Sequence, residues 1–202
     1  MDSMATVLPD PDSPSGKAPW AAILARVLPF VDIFLPSIEE ASYMLEPAKF
    51  LQTRKDHPAR EMIDLFTAED FSRVADRLLE MGSGVVGLKA GRGGFYLKTK
   101  PARAFETFGE AKPGAPEQWA SRELWCPAFC PPKLASATGS GDAAIAGFLT
   151  AFLRGLAPEL ALKCAACVGW QNVQELDATS GIRDWATTME LVDQGMPMYE
   201  IR

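Results

Sequence analysis

The stretch Ser136–Leu149, SATGSGDAAIAGFL, decides how the rest of the chain is read. Small residues and two glycines, Gly139 and Gly141, run into one carboxylate, Asp142, and an apolar helix follows. Beyond Asp142 the apolar positions are Ile145, Phe148, Leu149, Phe152 and Leu153, the spacing of an amphipathic helix ending near Gly155. Two readings of its start compete. In one, Asp142 simply caps a helix after a tight turn. In the other, the glycines let successive N–H groups converge, the first helical turn adds unpaired donors and partial positive charge, and an anion site results without a lysine. A carboxylate at the rim of such a site would repel a phosphate, so its task would be to take a proton from an attacking hydroxyl.

Working outward, the 202 residues suit one domain with a sizeable core. Residues 1–202 are read as a single α/β domain with a loop-rich start over residues 1–17. The net charge of -6 argues against nucleic acid as a partner, since phosphate backbones call for an excess of Lys and Arg. No apolar run approaches a membrane span, and the opening MDSMATVLPDPDSPSGK lacks a signal-peptide layout, so a cytoplasmic protein without membrane contact is expected. Four cysteines do not read as a disulfide framework. Cys164 and Cys167 lie on an apolar helix, where cysteine is usually a small buried hydrophobe. The lone His57 is expected in a solvated loop.

Along the chain, Pro19 opens a helix with Ile23, Leu24, Val27 and Leu28 on one face, and Val31–Leu35 is a short strand. Ser37 and Glu40 form a Ser-x-x-Glu capping box before a helix reaching about Leu45. Residues 46–63 read as loop. A helix starts at Thr67–Asp70, and Val85–Ala90 reads as a buried strand. Gly91–Gly94 turns the chain into a second strand, FYLK, and residues 103–108 read as a further strand, followed by loop over 109–122. Helices from Pro158 to Val173 and from Trp185 to Gln194 complete the pattern. Strands alternating with helices predict an α/β fold with a mostly parallel sheet flanked by helices.

ATGSGDAAIAGFL resembles the C-terminal signature of the PfkB (ribokinase-like) carbohydrate kinases, a D-T-x-G-A-G-D block followed by an apolar helix. The resemblance implies an anion hole at Gly139, Ser140 and Gly141 and a catalytic base at Asp142. Ser136, Ala137 and Ser140 stand where the family has Asp, Thr and Ala. LPSIEEASYML resembles the family's P-N-x-x-E segment, whose Glu, here Glu40, belongs to a network that positions magnesium. The capping box accounts for Glu40 equally well. VVGLKAGRGGFYL resembles the strand and T-x-G-x-x-G turn beside the nucleotide, matching Gly91 and Gly94, with Lys89 in place of Thr. Lys89 either reaches a nucleotide phosphate or is a solvated strand end. Asn172 is the candidate for the adenine pocket.

By this resemblance the chain is an ATP- and Mg2+-dependent kinase acting on a hydroxyl of a sugar or sugar-like substrate. Its fold would be ribokinase-like and incomplete at the N-terminus, without the sugar-binding and lid part. Weak or absent activity is expected for these residues alone, with a homodimer or the missing N-terminal half as partner. The alternative is a non-catalytic, nucleotide-binding remnant that pairs with another chain. A methyltransferase reading of GSGD is disfavoured, because the preceding CPPKLASAT has prolines and no apolar run.

Overall fold

A computed structural model describes residues 10–200. The part of the loop-rich start before residue 10 lies outside the described residues. The fold is α/β, with strands flanked by helices, and the chain divides into two compact units, Met1–Leu88 and Lys89–Arg202.

In the first unit, α1 (Trp20–Val27) buries Leu24 and runs into a 3-10 turn at Leu28–Phe30. The expected strand shortens to β1 (Ile33–Phe34), which pairs in parallel with β2 (Val85–Lys89) through Ile33↔Val85 and Phe34↔Val86. Helix α2 (Ile38–Leu45) begins at the expected capping box: Ser37 Oγ accepts from the Glu40 amide at 3.1 Å, and Glu40 Oε2 accepts from the Ser37 amide at 2.7 Å. Residues 46–63 are not a loop. Helix α3 (Pro47–Asp56) occupies most of them, followed by a 3-10 turn at Met62–Leu65. Pro47 sits at the first helical position, where its missing N–H costs nothing, and good helix formers follow. Only Phe50 of α3 is buried, so the helix carries no apolar stripe for a periodicity reading to find. Helix α4 (Ala68–Glu80) is capped by Thr67 and Asp70 in a second box, and buries Phe71, Val74, Ala75, Leu78 and Leu79. Helix α2 packs against α1, α3 and α4, with Ile38 and Ala41 fully buried.

In the second unit, a turn at Gly91–Gly93 leads to β3 (Phe95–Thr99). Residues 103–108 are not a strand: Ala102–Thr107 form a 3-10 helix that buries Phe105 against Phe108, ring centroids 5.3 Å apart. The segment read as loop over 109–122 holds a 3-10 turn at Gly109–Ala111 and one helical turn, α5 (Pro116–Trp119). An unexpected strand, β4 (Glu123–Cys126), pairs antiparallel with β3 from Phe95↔Cys126 to Lys98↔Glu123. Helices α6 (Ser140–Leu153), α7 (Pro158–Asn172) and α8 (Trp185–Gln194) follow as the periodicity predicts.

The core of this unit is aromatic. Phe95 stacks on Phe148 at 5.5 Å between centroids, while Trp119 meets Phe148 at 5.8 Å and Phe152 at 4.9 Å edge-on. Trp119 also donates its indole N–H to the Leu156 carbonyl at 3.2 Å. Helices α6 and α7 approach closely at Gly147, where a Cβ would lie 2.7 Å from the Cys164 carbonyl oxygen. Cys164 and Cys167 are buried, and burial pushes the Cys164 thiol up to about 12, so both serve as packing residues.

Candidate functional site

The turn before α6 is shaped by Gly139, whose φ of 79° is left-handed. A Cβ there would lie 2.7 Å from the Ala178 Cβ, so backbone and neighbour both demand glycine. No side chain caps the helix. The Ala143 amide donates to the Gly139 carbonyl at 2.8 Å and the Ser140 amide to the Ala137 carbonyl at 3.1 Å. The amides of Gly139, Gly141 and Asp142 have no acceptor among the described residues. Of the three residues expected to form the hole, Ser140 thus has its N–H taken, while the Asp142 amide is open beside that of Gly141. These open donors sit at the positive end of a 14-residue helix.

Asp142 is exposed and makes no hydrogen bond or ion pair with any described residue. Its carboxylate is neither turned into the core nor used as a cap.

Lys89, at the end of β2, is half-buried and has no carboxylate partner among the described residues. Its side chain lies over Gly141: a Cβ on that glycine would be 3.5 Å from Lys89 Nζ and 3.7 Å from its Cδ. The bare Gly141 backbone therefore faces an ammonium group.

Asn172, the last residue of α7, is 0 % exposed. It donates Nδ2 to the Ala178 carbonyl at 2.7 Å, its Nδ2 lies 3.6 Å from where a Gly139 Cβ would be, and its Oδ1 has no partner. Asn172 thereby ties the loop after α7 to the turn before α6. Within that loop Asp177 accepts from the amides of Thr179 at 2.9 Å and Ser180 at 2.7 Å. Hydrogen bonds from the Ser180 side chain, then from these amides, lower its carboxyl to about 2. Ala178 is the residue that sequence reasoning missed. Nothing in its type marks it, because its part is to sit against a glycine about 40 residues earlier.

Gly94 has φ 87°, and any Cβ there would overlap the Cys126 carbonyl, so this glycine permits the close approach of the turn to the end of β4. The Ala90 amide donates to the Gly94 carbonyl at 2.8 Å, and the Gly94 amide to Gly91 at 3.0 Å, which closes the turn on itself. Gly91 has φ 52° with open space around it. Glu40 belongs to the first unit and engages its carboxylate in the capping box. Among the described residues no cluster of three His, Cys, Asp or Glu side chains could hold a metal ion, and no helix is long and apolar enough to cross a membrane.

The fold is similar to that of several solved kinases. The ribokinase of Arabidopsis thaliana, complexed with ribose and ATP, is 20% identical with a TM-score of 0.60, over 83% of this chain and 43% of that one. The ribokinase of Thermotoga maritima is 21% identical, TM-score 0.54, over 85% and 45%. The aminoimidazole riboside kinase of Salmonella enterica, complexed with aminoimidazole riboside and an ATP analogue, is 16% identical, TM-score 0.54, over 85% and 46%. At these identities the likeness is one of fold, and the chain spans less than half the length of each. No curated protein matches. The family comparison extends the likeness beyond the signature to nearly the whole chain: residues 2–185 match the pfkB family of carbohydrate kinases, and the chain belongs to that family.

Proposed function

We propose that the chain carries the phosphoryl-transfer end of an ATP-dependent kinase for a hydroxyl of a sugar or sugar-like substrate, with residues 1–202 working as one α/β domain. The single observation that carries this reading is an exposed, unpartnered carboxylate, Asp142, at a helix start whose first amides are open and whose Gly141 lies against the Lys89 side chain. An exposed acid with no internal partner is free to accept a proton. Open main-chain donors with a neighbouring cation are suited to hold developing negative charge.

The chemistry required of the residues is limited. Asp142 takes the proton from the acceptor hydroxyl as its oxygen attacks. The Gly139, Gly141 and Asp142 amides, with the Ser140 backbone framing the turn, hold the negative charge that builds on the transferred group. Lys89 neutralises phosphate charge beside Gly141. Bound ATP with Mg2+ would supply the phosphoryl group. The open donors and the ammonium fit the phosphates of such a nucleotide. Gly91 and Gly94 shape the turn beside it, and Asn172, fully buried, steadies the hole through Ala178. Glu40 would act on magnesium only indirectly, since its carboxylate is held by Ser37.

A second reading concerns what these residues do by themselves, since they span 43% to 46% of the length of these neighbours. Phosphoryl transfer depends on a positioned acceptor. In this reading the chain is a nucleotide-binding remnant or a partner subunit, and turnover is weak or absent. Calorimetry with ATP and Mg2+, alongside ATP consumption over a panel of sugars and nucleosides, separates the two. Asp142→Asn is expected to change nucleotide affinity less than about threefold and to lower any turnover by about a hundredfold or more. Nucleotide binding with no turnover on any acceptor supports the remnant. Undiminished turnover in the variant removes Asp142 as the base.

A further inference from the structure

Helix α7 ends in two adjacent polar residues, Gln171 and Asn172, that are 3% and 0% exposed. A buried side-chain amide is costly unless both its ends are paired. Gln171 pairs both. Its Nε2 donates to Thr188 Oγ1 of α8 at 3.0 Å, with Cys167 Sγ 3.4 Å away, and its Oε1 accepts from the Arg183 amide at 2.6 Å. A methionine or leucine would fill similar space in α7 and need neither bond, so packing alone gives no reason for an amide here. Neighbouring positions on a helix point about 100° apart, so the two side chains reach different parts of the loop that follows. Asn172 holds the Ala178 carbonyl, and Gln171 holds the Arg183 amide, just before α8 begins.

Apolar burial does little to fix this loop. Residues 175–180 are all exposed. The Thr179 and Ser180 amides on the Asp177 carboxylate, and the Ile182 amide on the Thr179 carbonyl at 3.0 Å, shape the loop internally without attaching it to the helices. Attachment runs through α7. Asn172 holds it at Ala178, the Gln171 side chain holds it at Arg183, and Gly181 is buried between them, where a Cβ would lie 2.4 Å from the Gln171 carbonyl oxygen. A loop held by polar bonds and one close backbone approach moves when a bond is lost.

Ala178 is also the residue that lies against Gly139, so the place of the loop sets the place of the left-handed turn before α6. We propose that Gln171 is a positioning residue for the anion site: by holding the Arg183 amide it fixes the loop, and through Ala178 it fixes the Gly139 turn and the open amides of Gly141 and Asp142. The inference rests on the proposed reading of that turn as an anion site. Thr188 extends the chain of bonds to α8, so the helix after the loop braces the same turn through Gln171. Donors held in place before the anion arrives bind it more tightly than donors that must be ordered on binding.

The test compares Gln171→Met with Gln171→Glu in the isotope-labelled 202-residue chain. Methionine keeps neither bond. Glutamate keeps an acceptor for the Arg183 amide and can accept from the Thr188 hydroxyl, at the cost of a buried charge. Each variant is read by melting temperature, by hydrogen exchange of the Ser140 and Ala143 amides, which bond within the turn, and by titration with inorganic phosphate. Gln171→Met is expected to melt as high as Gln171→Glu or higher. It should nevertheless exchange faster at Ser140 and Ala143 and bind phosphate about tenfold more weakly, the cost of ordering roughly one backbone residue on binding. Gln171→Glu is expected to keep parental exchange at both amides and phosphate affinity within about twofold of the parent. A merely structural glutamine predicts the reverse, with losses at the turn following the loss of melting temperature. That order, or parental exchange and phosphate affinity in Gln171→Met, overturns the role of Gln171. A parent chain that binds no phosphate overturns instead the anion-site reading beneath it, and exchange at Ser140 and Ala143 still decides whether Gln171 sets the turn.

Discussion

Gly141→Ala separates the architecture of the candidate site from its chemistry. Gly141 lies in the first turn of α6 and its φ is not left-handed, so alanine adopts the same backbone without strain. The added methyl would meet Lys89 at 3.5, 3.7 and 3.9 Å from Nζ, Cδ and Cε, which is ordinary van der Waals contact. Alanine is about 1 kcal/mol better than glycine inside a helix, and less so at its end. Thermal unfolding should therefore be unchanged, or rise by up to about 4 °C for a chain of this size. The same methyl takes up the space between Gly141 and the Lys89 ammonium, where the proposed anion site needs room. Losing one charge-assisted hydrogen bond costs about 1.5–3 kcal/mol, equivalent to about ten- to hundredfold in affinity. The assay pairs a melting curve with phosphorus NMR or calorimetric titration by inorganic phosphate and by ATP. A variant as stable as the parent that binds phosphate equally well would refute the assignment. So would a parent chain that binds neither anion.

Other perturbations read different parts of the structure. Gly139→Ala should destabilise by about 2 kcal/mol or more, from the left-handed backbone penalty plus the 2.7 Å approach to Ala178, measured by denaturant unfolding; an unchanged midpoint would contradict the turn geometry. Trp119→Ala removes a side chain 1% exposed between Phe148 and Phe152, and should cost about 3–5 kcal/mol, seen as a large drop in melting temperature. Asp177 has its carboxyl lowered from 3.8 to about 2, so its turn is stabilised in full above the unfolded value and loses that support as pH falls from about 4 toward 2. A carboxyl-carbon NMR titration of Asp177 giving an ordinary midpoint would show that the Thr179 and Ser180 bonds do not persist.

Helix starts were legible because their signals are local. Ser37 with Glu40 and Thr67 with Asp70 each satisfy their own helix's first donors within four residues, and both boxes are present in the structure. Helix α3 was not legible, because Phe50 alone anchors it and its exposed faces look like a polar loop. Strand β4 and the 3-10 helix at Ala102–Thr107 depend on partners elsewhere: β4 on its register with β3, and Phe105 on the core that buries it. Short apolar runs of this kind carry no period that distinguishes strand from turn.

The candidate site divides in the same way. Residues Gly139, Gly141 and Asp142 could be picked out from order alone, since a left-handed turn, a bare amide and an unpaired acid at a helix start are properties of consecutive residues. The position of Lys89 over Gly141, the bond from Asn172 to Ala178, and the closure of the Ala178 loop on Gly139 were decided only by the folded chain. Dihedral preference and capping act over a few neighbouring residues and are written in local order. Contact between side chains about 40 or 50 positions apart exists only once packing brings their elements together, and no single residue type announces it.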